Sequence, residues 1–439
     1  MLNVLLFLST YIGGFLFAFR HSAAIAFALY QAVYYFHPQN RWWGYMVPEL
    51  SYSFFTVVLM LMVFVFNFKL LNKNQLLKSP HFRWIYFILL LFGVTYFYAA
   101  IPWHHEYALI NFFKLVITMS LAYKIINTTK DLDYVLWAHI FGGWYLSFAA
   151  YQIGRNSGDR VEGIGTVDSP DANGAAAAIA PAIVLGLYYF WVTKNKIAKA
   201  ALVIAGAFMA NAIVLINSRG AFLGVACSIF YFIFHMFFSR FQRPYQKASV
   251  IGILILGMAG TVYVVDDSFV ARMKTIFSEE VSEEAESGAT RTVYWIAAWD
   301  MAKDHPFGAG IAGFEYYAPD YIPQNVNTGN SRNRAVHSTW FEALSELGYL
   351  GFFALIAMLY TCYYSNRKCM KVLQKDGKVD EYFRMRAIEG ALICFLVTMT
   401  FLNRFRADVF YWLILYCAVA YNIYVIKPKN KQAISSERA

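Results

Sequence analysis

The chain has 439 residues, of which 59% are hydrophobic, 19% aromatic and only 15% charged. A soluble domain carries about a quarter charged residues, so this composition excludes an ordinary soluble protein and indicates a membrane protein with many interfacial aromatic side chains. The formal net charge of +10 does not indicate a nucleic-acid partner, because most of the excess lies in short loops between apolar segments, where it sets the orientation of the chain.

Apolar segments that could span a membrane recur along the chain. A hydrocarbon core about 30 Å thick requires about 20 helical residues, and the N-terminal segment lacks the basic start and small-residue cleavage site of a signal peptide. The predicted spans are residues 2–36, 48–68, 83–102, 106–123, 133–152, 174–193, 198–216, 220–238, 248–265, 338–364, 386–403 and 408–426. We therefore predict an all-α polytopic membrane helix bundle of about twelve spans, or thirteen if residues 2–36 turn at Arg20 and His21.

The loops between these segments alternate in charge. Residues 69–82, 124–132, 194–199, 239–247 and 365–386 and the tail from Lys427 are rich in Lys and Arg, so the positive-inside rule makes them cytoplasmic. The intervening loops then face outward. The longest of them, residues 266–337, separates an N-terminal transmembrane bundle (1–265) from the C-terminal transmembrane helices and cytoplasmic tail (338–439).

Residues 266–337 are predicted to form a helical loop subdomain. They include an acidic run at 279–286, for which a solvated surface is the simplest reading. Helical apolar spacing follows from Thr290 to Ala302, and His305-Pro306 breaks it. About seventy residues without a disulfide bury little core of their own. We therefore expect this segment to cover the membrane domain and not to fold as a separate enzyme.

Eight arginines are predicted to lie on the outward side, where the positive-inside rule disfavours basic residues. They are Arg155, Arg160, Arg219, Arg291, Arg332, Arg334, Arg404 and Arg406. An anionic ligand is the simplest way to offset this cost. Guanidinium groups grip phosphate oxygens in bidentate fashion, so the arrangement suits the diphosphate of a membrane-bound lipid.

His337 stands where the long loop re-enters the membrane, with Ser338 or Thr339 as helix caps and Glu342 in the first turns. A histidine here is suited to proton transfer with a hydroxyl beside an anion site. The alternative is an interfacial histidine bonded to a loop carbonyl group.

Each candidate binding residue has a structural alternative. Arg219, in the turn NSRG before a helix N-terminus suited to phosphate, could instead reach lipid headgroups. Arg291 could pair with the acidic run, and the turn FLNRFRAD could hold an internal Arg–Asp pair. The remaining candidates are Arg404 and Arg406 in that turn, and Arg160, Asp168 and Asn173 near a helix start capped by Asp171 or Asn173. Lys114 is also notable, because a charge inside the membrane is costly unless it is paired.

The stretch from His337 reads His-Ser, nine residues, then Gly348-Tyr-Leu-Gly351. It resembles the signature of the O-antigen ligase and polymerase superfamily, which also includes bacterial protein O-oligosaccharyltransferases. The NSRG turn, the loop helix from Arg291 through HPFGAGIAGF and the DSPDANG segment agree with that resemblance. These motifs cover about a tenth of the chain, whereas the span layout agrees along most of it.

The resemblance implies a multi-pass enzyme of the bacterial inner membrane whose active site faces the periplasm. It implies transfer of a glycan from undecaprenyl diphosphate to an acceptor hydroxyl, with inversion and without a cofactor or metal. His337 would be the catalytic base, and Arg219 and Arg291 would bind the diphosphate. Arg404, Arg406, Arg160, Asp168 and Asn173 match the family less closely and are further candidates for substrate binding.

Ligation to the lipid A core is our first expectation for the acceptor, because the single long loop and compact tail leave little room for a peptide-docking domain. A polysaccharide polymerase and a protein O-oligosaccharyltransferase remain alternatives. A transporter of lipid-linked glycans is more remote, because no repeated halves are recognisable and the charges cluster at one surface. A non-catalytic scaffold that binds anionic membrane lipids is the last alternative.

Overall fold

The computed structural model describes residues 1–274, 288–326, 328 and 331–428, and all regular elements within these ranges are helical. The first eight α-helices are α1 (Leu2–Arg20), α2 (Ala24–Phe36), α3 (Tyr52–Phe66), α4 (Phe68–Leu71), α5 (Pro80–Thr95), α6 (Pro102–Ile125), α7 (Thr129–Ile153) and α8 (Ala172–Val192). They are followed by α9 (Lys196–Ile216), α10 (Arg219–Phe238), α11 (Gln246–Val264), α12 (Asp267–Lys274), α13 (Gly288–Asp304) and α14 (Gly313–Tyr321). The last three are α15 (Thr339–Lys375), α16 (Val379–Met399) and α17 (Asp408–Tyr421). The all-α polytopic prediction is confirmed.

Eight helices within the described ranges are long and apolar enough to cross a membrane: α1, α6, α8, α9, α10, α11, α15 and α17 with its continuation to Ile426. The predicted count of twelve is not confirmed. The helices α3 and α5, in the predicted spans 48–68 and 83–102, have only 15 and 16 residues. In α7 and α16, polar and charged side chains lower the hydropathy. Arg384 of α16 is buried and pairs with Asp133 of α7 at 2.6 Å.

Residues 2–36 form a hairpin of two helices and not one broken span. Asn3 in α1 contacts Gln152 at the end of α7 at 2.9 Å, whereas Ser22, between α1 and α2, donates to Asp131 at the start of α7 at 2.5 Å. The chain therefore reverses at residues 21–23, next to the predicted Arg20–His21 turn. The short helix α2 then returns along the bundle and is largely buried.

The core of the bundle is formed by α8 and α17, in which 78% and 83% of the most apolar 18 residues are buried. Small side chains explain the depth of α8, since its first turns are a run of alanines. In contrast, only 6% of the most apolar 18 residues of α11 are buried, so α11 lies at the periphery.

One end of the bundle, here called the loop face, holds the connections at residues 154–171, 217–218 and 400–407 together with α13 and α14. A 2.7 Å ion pair joins Arg155, after α7, to Asp266, after α11. The backbone N–H of Ala100, between α5 and α6, donates to the carbonyl oxygen of Ala309 at 2.8 Å. These contacts bring the predicted outward loops together at a single end.

The long-loop helix α13 includes the segment predicted from Thr290 to Ala302 and ends at Asp304, directly before the predicted break. Tyr294, Ala298 and Met301 are fully buried in a small apolar cluster shared with α14. The ring of Trp295 stacks on Phe341 of α15 at 5.7 Å, which anchors α13 to the bundle. The acidic run at 279–286 lies outside the described residues. The three domain boundaries stay predictions.

Candidate active site

Arg219 is the first residue of α10, after a two-residue turn from α9 in which Asn217 adopts a left-handed conformation (φ 58°). This helix start lies against the end of α16, because a Cβ atom added at Gly220 would be in ordinary contact with Phe401, at 3.4 Å. The Thr398 hydroxyl also reaches the Gly220 carbonyl oxygen at 3.5 Å. The NSRG turn therefore presents an arginine and the N-terminus of a 20-residue helix at the loop face.

Arg160 and Asn173 lie together beside this turn. The Arg160 guanidinium donates to the Asn173 side-chain oxygen at 2.9 Å and, through Nε, to the carbonyl oxygen of Ile216 at 3.0 Å. Arg291 and Arg160 both lie close enough to Arg219 for their positive charges to repel its guanidinium group. The structure thus brings three of the predicted arginines into one neighbourhood, although they are separated widely in sequence. Clustered positive charge at a helix N-terminus favours an anion.

His337 precedes α15 and is half-buried, with the uncommon left-handed backbone (φ 49°). The next backbone N–H, from Ser338, donates to the side-chain oxygen of Asn403 at 3.0 Å. The Thr339 hydroxyl donates to the Leu402 carbonyl oxygen at 2.7 Å and accepts from the Arg404 N–H at 2.8 Å. Neither Ser338 nor Thr339 makes a side-chain helix cap. Their polar groups instead fix His337 against the loop at residues 400–407.

Aromatic contacts of α13 connect the segment that carries Arg291 to the starts of α10 and α15. Trp295, one turn after Arg291 on α13, lies 5.7 Å from the Phe341 ring and 6.1 Å from the Phe401 ring, measured between ring centroids. Phe341 follows His337 by four residues, and Phe401 contacts Gly220. These contacts of Trp295 place the N-terminal half of α13 between the start of α10 and the start of α15.

Arg404 has an internal carboxylate partner. Its guanidinium donates to Asp171 at 2.8 Å and also to the Ser169 hydroxyl. Asp171 caps α8, as predicted, by accepting from the Gly174 N–H at 3.0 Å. Burial alone would raise the pKa of Asp171, but Arg404 and these donors hold it below its ordinary value. Arg404 therefore joins two loops in this structure, and its contact with a substrate stays a prediction.

Arg406 lies between two buried glutamates of α15. Its guanidinium is 3.4 Å from Glu342 and 3.7 Å from Glu346. Desolvation would lower the pKa of Arg406, but the two carboxylates raise it above its ordinary value, so the guanidinium stays charged. Glu342 also accepts from the Phe405 N–H at 3.1 Å, and Glu346 accepts from the Ala312 N–H at 3.0 Å. The sequence analysis missed Glu346, although its i, i+4 spacing from Glu342 was a usable signal.

Asp168 and Asp408 lie next to each other, and each accepts a hydrogen bond from a tyrosine. Asp168 accepts from the Tyr34 hydroxyl at 2.6 Å and from the Asp408 N–H at 2.8 Å, while the Asp408 carboxylate accepts from the Tyr30 hydroxyl at 2.5 Å. The suggested Arg–Asp pair within the turn FLNRFRAD does not form, because Arg404 and Arg406 reach carboxylates on other elements. In this structure Asp168 therefore accepts hydrogen bonds from a tyrosine hydroxyl and from the backbone, and it makes no ion pair with these arginines.

Gly348, the first glycine of the His-Ser…Gly-x-x-Gly element, is required by the backbone conformation at its position. It breaks α15 with a conformation (φ 68°, ψ −165°) that is open almost only to glycine. The freed carbonyl groups of Ser345 and Glu346 accept from the N–H groups of Ala309 and Gly310, both at 2.9 Å. The HPFGAG segment is thereby bonded to the first two turns of α15, which carry Glu342 and Glu346.

Arg41 is a second residue that the sequence analysis did not identify. Its buried guanidinium donates to the carbonyl oxygens of Phe36 at 3.1 Å, Tyr35 at 3.2 Å and Gly165 at 3.1 Å. These bonds tie the loop that carries Asp168 to the end of α2. A single basic residue in a short loop gave no specific signal for this role.

Three further outward arginines have partners within the loops: Arg155 with Asp266, Arg332 with the carbonyl oxygens of Ile322 and Pro323, and Arg334 with that of Thr328. Internal partners therefore offset part of the cost that we had assigned to an anionic ligand. Across the described ranges, His, Cys, Asp and Glu side chains form no group of three or more that could hold a metal ion.

A comparison with curated proteins found no match. A protein-family model described as O-Antigen ligase matches residues 204–356. This segment begins within α9 and includes the Arg219 turn, Arg291, His337 and the Gly348 break. Over these residues, which are about a third of the chain, the protein is similar to the O-antigen ligase family.

Proposed function

We propose that this protein is a glycosyltransferase that moves a glycan from undecaprenyl diphosphate to an acceptor hydroxyl on the periplasmic side of the inner membrane, with the lipid A core as the acceptor. The family match supports an enzyme of the O-antigen ligase or polymerase type. The donor, the acceptor and the orientation are parts of the proposal.

One observation supports the proposal: the four segments that carry three arginines and a histidine lie at the loop face. Arg219 begins α10, Arg160 is bonded beside the same turn, and Arg291 lies one turn before the Trp295 ring that stacks on α15. His337 is held at the start of α15 by the bond from Ser338 to Asn403. A diphosphate offers two phosphoryl groups to such a cluster, and guanidinium forks match their oxygen atoms.

In the proposed reaction, His337 accepts the proton of the acceptor hydroxyl while its oxygen forms a bond to the anomeric carbon of the donor glycan. The bond from that carbon to the diphosphate oxygen breaks, and its electron pair leaves with undecaprenyl diphosphate. Arg219 and Arg291 stabilise the charge that develops on the leaving group. Attack opposite the leaving oxygen inverts the anomeric configuration.

The acceptor can be tested in cells. Deletion of the gene, followed by electrophoresis of lipopolysaccharide, should remove all long chains and leave unmodified lipid A core. Retention of a single capped repeat would contradict ligation in favour of polymerisation. A change confined to glycoproteins would contradict it in favour of protein glycosylation.

The diphosphate role of Arg219 can be tested with the purified protein. Arg219→Lys should lose most transfer, because an ammonium group cannot reproduce the bidentate fork. Arg240→Lys is a matched control, since Arg240 follows the opposite end of the same helix, which ends at Phe238. Equal activity of the two variants would refute the assignment. Free undecaprenyl diphosphate and a covalent product distinguish an enzyme from a transporter or scaffold.

A further inference from the structure

A cavity of about 980 Å³ extends from the loop face along α6 and lies beside the candidate active site. Its lining on α6 runs from His104 to Thr118, which is about 21 Å of helix. The end of the cavity at the loop face includes Asn403 and Arg404. Because the Asn403 side chain accepts from the N–H of Ser338, this end of the cavity comes within one residue of His337.

The lining changes in character along its length. The end at the loop face carries three carboxylates, two arginines and two tyrosines, namely Asp168, Glu342, Asp408, Arg404, Arg406, Tyr30 and Tyr34. Carboxylates and tyrosines are suited to the hydroxyl groups and ring faces of sugars. The part farther along α6 is lined by Phe112, Leu115 and Ile117, which suits hydrocarbon. The cavity therefore fits a ligand with a polar head and an apolar tail.

The cavity is open to the side between α3 and α6. Phe54 of α3 and Tyr107 of α6 line it and are 62% and 72% exposed. Both helices belong to the apolar part of the bundle, so this opening would face lipid. A lipid-anchored ligand can enter there without leaving the membrane.

Lys114 adds a charge to the apolar part. It lies at the centre of α6, about 17 Å along the helix from either end, which is farther than a lysine side chain extends. Its ammonium group has one weak polar contact, 3.4 Å to the Asn111 side-chain oxygen. Among the residues that the structure describes, no carboxylate lies within ion-pair distance of it. A charge at this depth is costly unless a partner is bound.

We propose that this cavity is the acceptor site of the proposed transferase, and that Lys114 binds a phosphate group next to the lipid anchor of the acceptor. The inference rests on the proposed function. The acceptor glycan would reach the loop face, where His337 lies, while the phosphate would lie deeper, beside Lys114. Both a phosphorylated glycolipid such as lipid A core and a polyprenyl-diphosphate-linked glycan have this chemistry.

The test uses the full-length protein in lipid nanodiscs with an undecaprenyl-diphosphate-linked glycan as donor. Acceptors are phosphorylated lipid A core, its dephosphorylated form and, in a separate arm, the lipid-linked glycan alone. Lys114→Gln should raise KM for the phosphorylated acceptor about tenfold or more while leaving KM for the donor within about twofold. Lys114→Arg, which keeps the charge, should remain close to wild type. The arm in which the effect occurs identifies which acceptor is used.

Two controls isolate the phosphate contact. Lys124→Gln changes another lysine of α6, which contacts the Asn72 side-chain oxygen at 2.9 Å and lies in the last turn of the helix. It should behave as wild type. With the dephosphorylated acceptor, wild type and Lys114→Gln should have equal KM values, because the interacting partner is already absent. Equal melting temperatures and elution profiles would show that the variants are folded.

Equal acceptor KM values for Lys114→Gln and Lys124→Gln would overturn the acceptor site while leaving the proposed function intact. A rise in donor KM alone would reassign the cavity to the donor and also overturn it. An absence of transfer by the wild-type protein with every acceptor would refute the proposed function, and the acceptor site with it.

Discussion

Replacing Gly348 by alanine should destabilise the protein and separate the long loop from α15. An alanine Cβ would lie 2.2 Å from the carbonyl oxygen of Pro306 and 2.6 Å from the backbone nitrogen of Gly308. These are backbone atoms, so no side-chain rotation relieves the clash. The conformation of Gly348 adds about 1–3 kcal/mol of strain for any other residue, and overpacking adds about 1–3 kcal/mol.

We therefore expect Gly348→Ala to lower the free energy of unfolding by about 2–6 kcal/mol, measured by equilibrium unfolding in mixed micelles. Gly206→Ala is a matched control, because Gly206 lies within α9 and an added Cβ would meet no atom within 4 Å. Its higher helix propensity should leave stability unchanged or raise it by up to about 1 kcal/mol. Equal stability of the two variants would refute the role of Gly348 as the joint between loop and helix.

Two further predictions concern ionisable groups at the loop face. Asp171→Asn keeps the helix cap but removes the counter-ion of Arg404, and should cost about 0.5–1 kcal/mol, because the carboxylate is half exposed. Because the pKa of Asp171 is lowered in the folded protein, wild type should be more stable than Asp171→Asn above the ordinary pKa of an aspartate. This difference in stability should disappear as pH falls through the folded pKa. A difference in melting temperature between the two proteins that stays constant down to pH 3 would contradict this. Burial and then Arg41 lower the pKa of His37 to about 4, so stability due to neutral His37 is complete above about pH 6.5 and lost as pH falls toward 4. Asparagine tolerates the left-handed backbone at this position (φ 42°), so His37→Asn should narrow the difference between the melting temperatures at pH 7.5 and pH 5. An unchanged difference would exclude His37 as a source of the pH dependence of stability.

The helical class and most helix positions could be predicted because apolar length is a local property of the sequence. The helix from Thr290, its end before His305 and the Asp171 cap were also predictable from local patterns. The span count was not, because burial inside the bundle allows α2, α3 and α5 to be short and α16 to be charged. Sequence hydropathy does not distinguish a helix buried among other helices from one that faces lipid.

The candidate site divides in a similar way. Topology and motif predicted that Arg219, Arg291 and His337 share one face, and the structure brings their segments together. The partners of Arg404 and Arg406 could not be predicted, because they depend on contacts across the bundle to Asp171, Glu342 and Glu346. An arginine in an outward loop has the same sequence signal whether it binds a ligand or a neighbouring carboxylate.

The central claim is that His337 transfers the proton of the acceptor hydroxyl while the arginines hold the donor. The most direct measurement compares wild type with His337→Ala in the reconstituted assay, following both glycan transfer and binding of the undecaprenyl-diphosphate-linked donor. Loss of a positioned base should reduce transfer by about 10²–10⁴-fold, with donor binding unchanged. Transfer within about tenfold of wild type would contradict the general-base role of His337.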